Sequence, residues 1–125
     1  METRAETVLI VEDNADIAQL TRIALRIQGY DAFVASSRNA AVKFIADDGM
    51  PDVIIMDWHM AGMSIEKFMT EMTSMCRGRP LPRIILSTAG QDADLVAKSL
   101  NIPEVLRKPF DPINPLKQVD GWRAT

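Results

Sequence analysis

Five polar residues in this chain are of the right types to handle a phosphoryl group: Glu12, Asp13, Asp57, Thr88 and Lys108. Each directly follows a short apolar run. Glu12 and Asp13 end Thr7–Val11, Asp57 ends Asp52–Met56, Thr88 ends Arg83–Ser87, and Lys108 ends Glu104–Arg107. Three carboxylates placed together repel one another unless a cation sits among them. Hard oxygen ligands with room for retained water favour Mg²⁺. A carboxylate beside such an ion is poised for phosphoryl chemistry, which needs an in-line nucleophile and neutralised equatorial oxygens. Asp57 is the candidate nucleophile, forming an aspartyl-phosphate. Lys108 would neutralise one phosphoryl oxygen as a point charge, and the Thr88 hydroxyl would donate to another.

Each of these residues alone has a plainer reading. Glu12 and Asp13 could be favourable charge at a helix N-terminus. Asp57 could cap a loop, Thr88 could cap a helix, and Lys108 could be a solvated surface lysine. The phosphoryl reading rests on all of them reaching one place.

The elements predicted around them bring that about. Thr7–Val11 and Asp52–Met56 are short, β-branched and uninterrupted, as strands buried on both faces read. Asp31–Ala35 is weaker, nearer a sheet edge. Asn14 caps a first helix whose apolar stripe is Ile17, Leu20, Ile23, Ala24 and Ile27, with Gly29 at its left-handed end. Ser36 or Ser37 caps the second helix, with Ala41, Phe44 and Ile45 facing inward. The stretch Asp48-Gly49-Met50-Pro51 ends it. Ser64 caps the third helix, with Ile65, Phe68, Met69 and Met72 as its apolar face. Residues Arg77 to Pro82 form a connection. A fourth helix runs from Asp92 to Leu100. Asn114 and Pro115 start a brief final helix that Gly121 stops.

Strand and helix alternate five times, which predicts an α/β domain: a five-stranded parallel sheet with helices on both faces and right-handed crossovers. In such open sheets, ligands bind at the carboxyl ends of the strands. All five polar residues stand there.

The 125 residues suit one domain, 1–125, with a core over about 6–120 and no repeat or linker. One cysteine, Cys76, excludes an internal disulfide framework and a Cys-rich zinc site. A net charge of −3 argues against direct nucleic-acid binding or an anionic membrane surface. No apolar run is long enough to cross a bilayer, and Met1 to Glu6 carries no signal-peptide core, so the expected location is the cytoplasm. An FMN-binding flavodoxin is disfavoured, because the acidic rim would repel the cofactor phosphate and no Ser/Thr/Gly-rich loop follows the first strand.

Four motifs in order, Val8-Leu9-Ile10-Val11-Glu12-Asp13-Asn14, Val53-Ile54-Ile55-Met56-Asp57, Ile84-Ile85-Leu86-Ser87-Thr88-Ala89 and Lys108-Pro109-Phe110, resemble the receiver domains of two-component response regulators over nearly the whole chain. The resemblance implies a flavodoxin-like strand order 2-1-3-4-5. It implies that Asp57 accepts a phosphoryl group from a sensor histidine kinase or histidine phosphotransfer protein. Asp13 would ligate Mg²⁺ directly, Glu12 largely through water, and His59 through its backbone carbonyl. A cis Lys108-Pro109 bond would aim the lysine. The output would be a switched protein–protein interaction with a downstream effector, and a homodimer is left open. A receiver is a switch with its own phosphoryl-transfer and hydrolysis chemistry rather than an enzyme.

The chain departs from that family's pattern in places. Val105 stands where an aromatic residue usually reports phosphorylation, and valine is stiff with no ring to swing. Ala61 stands where the loop after the acceptor usually has proline, which loosens the loop. The short last helix weakens the usual effector face. Val105 and the short last helix motivate the alternative of a phosphorylation-independent interaction module. His59 and Gly90 occupy two positions that flank the attacking-water path in this family, and His59 is expected to set the phosphoryl lifetime. Trp58, Met60 and Met63 are expected to pack around the loop. A core-facing Met69-Met72-Met75 stripe is expected over a partner surface. Cys76 is expected to be exposed.

Overall fold

The computed structural model describes residues 6–88 and 104–107, with side chains over 6–87. Eight elements follow in order: β1 Thr7–Val11, α1 Ala15–Ile27, β2 Asp31–Ala35, α2 Arg38–Asp48, β3 Val53–Asp57, α3 Ile65–Cys76, β4 Arg83–Thr88 and β5 Glu104–Arg107. The strands form one parallel sheet in the order β2-β1-β3-β4-β5, as predicted. The proposed helices over 92–100 and after Asn114 lie outside the described residues, as do Gly90, Lys108 and Pro109.

Side chains alternate across a strand, so an unbroken apolar run fills two cores. Leu9, Val11, Ile54, Met56, Ile84 and Leu86 face one side, where Ala41 and Ile45 of α2 and Ile65, Phe68 and Met72 of α3 close over them. Val8, Ile10, Val53, Ile55 and Ile85 face the other side with Leu25 of α1 and Tyr30. Burying one such large side chain contributes about 1.5–3 kcal/mol. Among the strands whose side chains are described, edge strand β2 is the least buried, in keeping with its weaker sequence signal.

The helices start where their caps stand. Asn14 Oδ1 accepts from the Ile17 N–H at 3.0 Å, Ser37 Oγ from Ala40 at 3.0 Å and Ser64 Oγ from Lys67 at 3.1 Å. Ser37 rather than Ser36 is therefore the second cap. Gly29 has φ 97°, a left-handed region open to glycine.

Two packing expectations are corrected. Leu20, Ile23 and Ile27 are 62%, 49% and 77% exposed, and the buried face of α1 is Ala18, Thr21, Ala24 and Leu25. Apolar residues cover two adjoining arcs of this helix, and the arc that carries Ala24 and Leu25 is the buried one. The Thr21 hydroxyl is satisfied by donating to the Ile17 carbonyl at 2.8 Å. Cys76 is buried, because it continues the Phe68–Met72 face of α3 by one more turn. The methionines of α3 do face inward: Met72 is fully buried, and Met69 and Met75 pack against the same core.

Candidate functional site

Strands β1 and β3 are parallel neighbours with Val11 level with Met56. The next residue of each strand, Glu12 and Asp57, therefore emerges at the same height. Glu12 is still tied to the sheet, since its N–H donates to the Ala35 carbonyl at 3.0 Å. Its Oε2 accepts from the Asn14 N–H at 3.2 Å, which turns the carboxylate back over the entry to α1. Asp57 is the last residue of β3, and Oδ1 accepts from the His59 N–H at 3.2 Å.

Carboxylate oxygens of Glu12, Asp13 and Asp57 lie within 4.8 Å of one another. Glu12 and Asp57 are buried and Asp13 is exposed, so the cluster opens to solvent on one side. At that spacing like charges repel by about 3.5 kcal/mol per pair in a medium of effective dielectric near 20, and by about 0.9 kcal/mol in water. Hard, anionic oxygen donors around a solvent-facing opening suit a small divalent cation that keeps part of its water.

The remaining expected residues are placed to different extents. His59 is exposed, with its ring edge-on to Trp58 at 6.2 Å between centroids. The backbone of Thr88 ends β4, one residue beyond the Ser87–Asp57 pair and opposite Arg107 of β5. Its side chain, and all of Lys108, fall outside what is described. Trp58, Met60 and Met63 pack against the core beneath the loop, as expected.

One residue at the site was not foreseen. Arg38, the first residue of α2, is buried at 3% exposure. Its Nη2 donates to the Asp57 carbonyl at 2.9 Å and the Trp58 carbonyl at 3.0 Å, and Nη1 donates to the Met63 carbonyl at 2.8 Å. Nε has no hydrogen-bond partner. Burial pushes the guanidinium below its usual pKa, opposed by the charges of Asp57 and Glu66. A signal for it existed in the sequence: the first turn of a helix disfavours a cation, so an arginine there invites a question about its partner.

The family model of the response regulator receiver domain matches residues 8–120. Among curated proteins, the chain is 28% identical over 109 residues to the phosphate regulon transcriptional regulatory protein PhoB of Escherichia coli, covering 86% of this chain and 47% of that protein. It is 26% identical over 114 residues to the DNA-binding response regulator MtrA of Mycobacterium tuberculosis, covering 90% and 48%. The chain thus spans about half the length of these relatives. Among solved structures, the chemotaxis protein CheY4 of Vibrio cholerae superposes with a TM-score of 0.73 at 27% identity, covering 91% of this chain and 95% of that one. A CheY-like receiver domain from Methylobacillus flagellatus gives 0.70 at 21% identity, covering 91% and 94%, which shows the shared fold alone.

Proposed function

The chain belongs to the response regulator receiver domain family, and on that premise we propose that Asp57 is the phosphoacceptor of a two-component or phosphorelay switch. The observation that carries this reading is the convergence of Glu12, Asp13 and Asp57 within 4.8 Å at the carboxyl ends of neighbouring strands. A domain without phosphoryl chemistry has no physical need for three mutually repelling carboxylates in one place.

The donor set fits Mg²⁺. Asp13, Asp57 and the His59 backbone carbonyl would hold the ion, with Glu12 acting largely through water. Bound there, it would supply positive charge to a phosphoryl group arriving at Asp57. An Asp57 Oδ attacks the phosphorus of a phosphohistidine on the kinase or phosphotransfer partner. The new P–O bond forms as the N–P bond breaks, and the electron pair of the broken bond returns to the imidazole nitrogen. The Thr88 hydroxyl and the Lys108 ammonium then hold the phosphoryl oxygens; for Thr88 the support is its backbone position, one residue beyond the Ser87–Asp57 pair. Water later hydrolyses the acyl phosphate, and exposed His59 stands beside the acceptor where it can tune that step.

Receiver domains are signalling switches, not enzymes in the usual sense. Here the added charge biases two conformations of the domain and so its contact with a downstream protein effector. Transcription and DNA binding are named for PhoB and MtrA; the acidic balance of the present residues argues against DNA contact by them. Among the described residues, no helix is long and apolar enough to cross a membrane. The alternative, an interaction module that works without phosphorylation, is motivated by Val105.

Trp58 beside the site gives the test. Mg²⁺ titrated against tryptophan fluorescence should saturate in the wild type and bind much more weakly in Asp13→Asn. Equal curves, or no response in a protein shown by equilibrium dialysis to bind no Mg²⁺, would refute the assignment.

A further inference from the structure

We propose that Arg38 is a positioning residue for the phosphoacceptor loop, acting by fixing the direction of two successive peptide groups next to Asp57. The inference rests on the receiver reading above and adds to it a residue outside the acidic cluster. In a planar trans peptide the carbonyl and the following N–H point in opposite directions. Arg38 Nη2 holds the Asp57 carbonyl at 2.9 Å, and across that peptide the Trp58 N–H is aimed at the Ser87 carbonyl, 2.9 Å away. Nη2 also holds the Trp58 carbonyl at 3.0 Å, and across that peptide the His59 N–H is aimed at Asp57 Oδ1, 3.2 Å away. One guanidinium nitrogen thereby sets both the anchoring of the loop to β4 and the contact on the acceptor carboxylate.

The other end of the loop is held by the same group. Nη1 donates to the Met63 carbonyl at 2.8 Å, directly before the Ser64 cap of α3. The span from His59 to Gly62 is thus closed at both ends by one planar fork. Ala61 lies inside it, so the chain there has no proline ring to stiffen it. A guanidinium is suited to this task because its donors are fixed relative to one another, whereas an ammonium on a flexible stem offers no such fork. Arg38 itself is rigid, being buried and built into the first turn of α2.

Three proteins test this: wild type, Arg38→Met and Arg38→Lys, the last keeping the charge and losing the fork. The readouts are the Mg²⁺ dissociation constant from Trp58 fluorescence, the hydrogen-exchange rate of the His59 amide and the rate of phosphorylation by acetyl phosphate. Urea unfolding run in parallel identifies conditions in which each protein is folded. Arg38→Met should weaken Mg²⁺ binding about tenfold, or about 1.4 kcal/mol, speed exchange of the His59 amide and slow phosphorylation. Arg38→Lys should fall between it and the wild type. A merely structural role would lower the urea midpoint and leave the folded protein's Mg²⁺ affinity and His59 exchange unchanged; that result overturns the proposal. If Arg38→Met does not fold, Arg38→Lys decides, and wild-type behaviour in it overturns the proposal. A wild type that neither binds Mg²⁺ nor accepts a phosphoryl group would instead defeat the underlying receiver reading, and this role with it.

Discussion

Replacing Asp57 by Asn should stabilise the fold in Mg²⁺-free buffer. The carboxylates of Glu12, Asp13 and Asp57 approach within 4.8 Å. The pair formed by the two buried groups, Glu12 and Asp57, lies toward the figure of about 3.5 kcal/mol for an effective dielectric near 20, and the pair with exposed Asp13 toward the aqueous figure of about 0.9 kcal/mol. The introduced amide is isosteric with the carboxylate and neutral, so both repulsions go. Against this, the bond from the His59 N–H to Oδ1 loses its charge assistance, a cost of about 1 kcal/mol, and the attraction between the Asp57 carboxylate and the buried Arg38 guanidinium is lost as well. Local relaxation and screening by water and salt reduce the gain further, leaving about 1–2 kcal/mol of net stabilisation. With a urea slope of about 2 kcal/mol/M, the unfolding midpoint should rise by about 0.5–1 M. Tryptophan fluorescence in EDTA reads the midpoint. Adding Mg²⁺ at about ten times its dissociation constant should then raise the wild type by about 1.4 kcal/mol and the variant by much less, narrowing the gap. An Asp57→Asn protein that unfolds at the same or a lower urea concentration without Mg²⁺, with an unchanged response to the ion, would refute the electrostatic reasoning.

Other perturbations separate scaffold from site. Phe68 is fully buried beneath the sheet, so Phe68→Ala should cost about 3–5 kcal/mol, read as a lower urea midpoint; a change below about 1 kcal/mol would contradict the packing described. Ile27→Ser, at a position 77% exposed, should alter stability by no more than about 0.5 kcal/mol, and a large loss in the same urea assay would show that this face of α1 is covered. His59→Ala should change the decay rate of the phosphorylated protein severalfold while leaving the fold intact; identical decay would remove His59 from control of phosphoryl lifetime.

Much of the architecture was legible because the strands announce themselves. Val8–Val11, Val53–Met56 and Ile84–Leu86 are β-branched or large apolar runs that end abruptly in polar residues. The same feature places those polar residues at the carboxyl ends of a parallel sheet. The face of α1 was only partly legible: Ile17, Leu20, Ile23, Ala24 and Ile27 make a convincing helical stripe, yet of these only Ala24 lies with Ala18, Thr21 and Leu25 on the buried face. Periodicity fixes the width of an apolar arc and cannot tell which half of a broad one packs. The exposure expected of Cys76 follows from the neighbouring Arg77 and Gly78, whereas its spacing from Phe68 and Met72 puts it on their buried face. Arg38 left one trace, a cation in the first turn of a helix, and none that named its partners. Its partners are backbone carbonyls 19, 20 and 25 residues away, and a bond to a backbone carbonyl carries no side-chain pattern for a reader to find.

Intact mass decides whether Asp57 is the acceptor. Wild type and Asp57→Asn are incubated with acetyl phosphate, with and without Mg²⁺, and weighed. One added phosphoryl group is expected in the wild type, dependent on Mg²⁺ and absent from the variant. A phosphoryl group retained by Asp57→Asn, or none on a wild type that also stays unmodified by phosphohistidine donors, would contradict it.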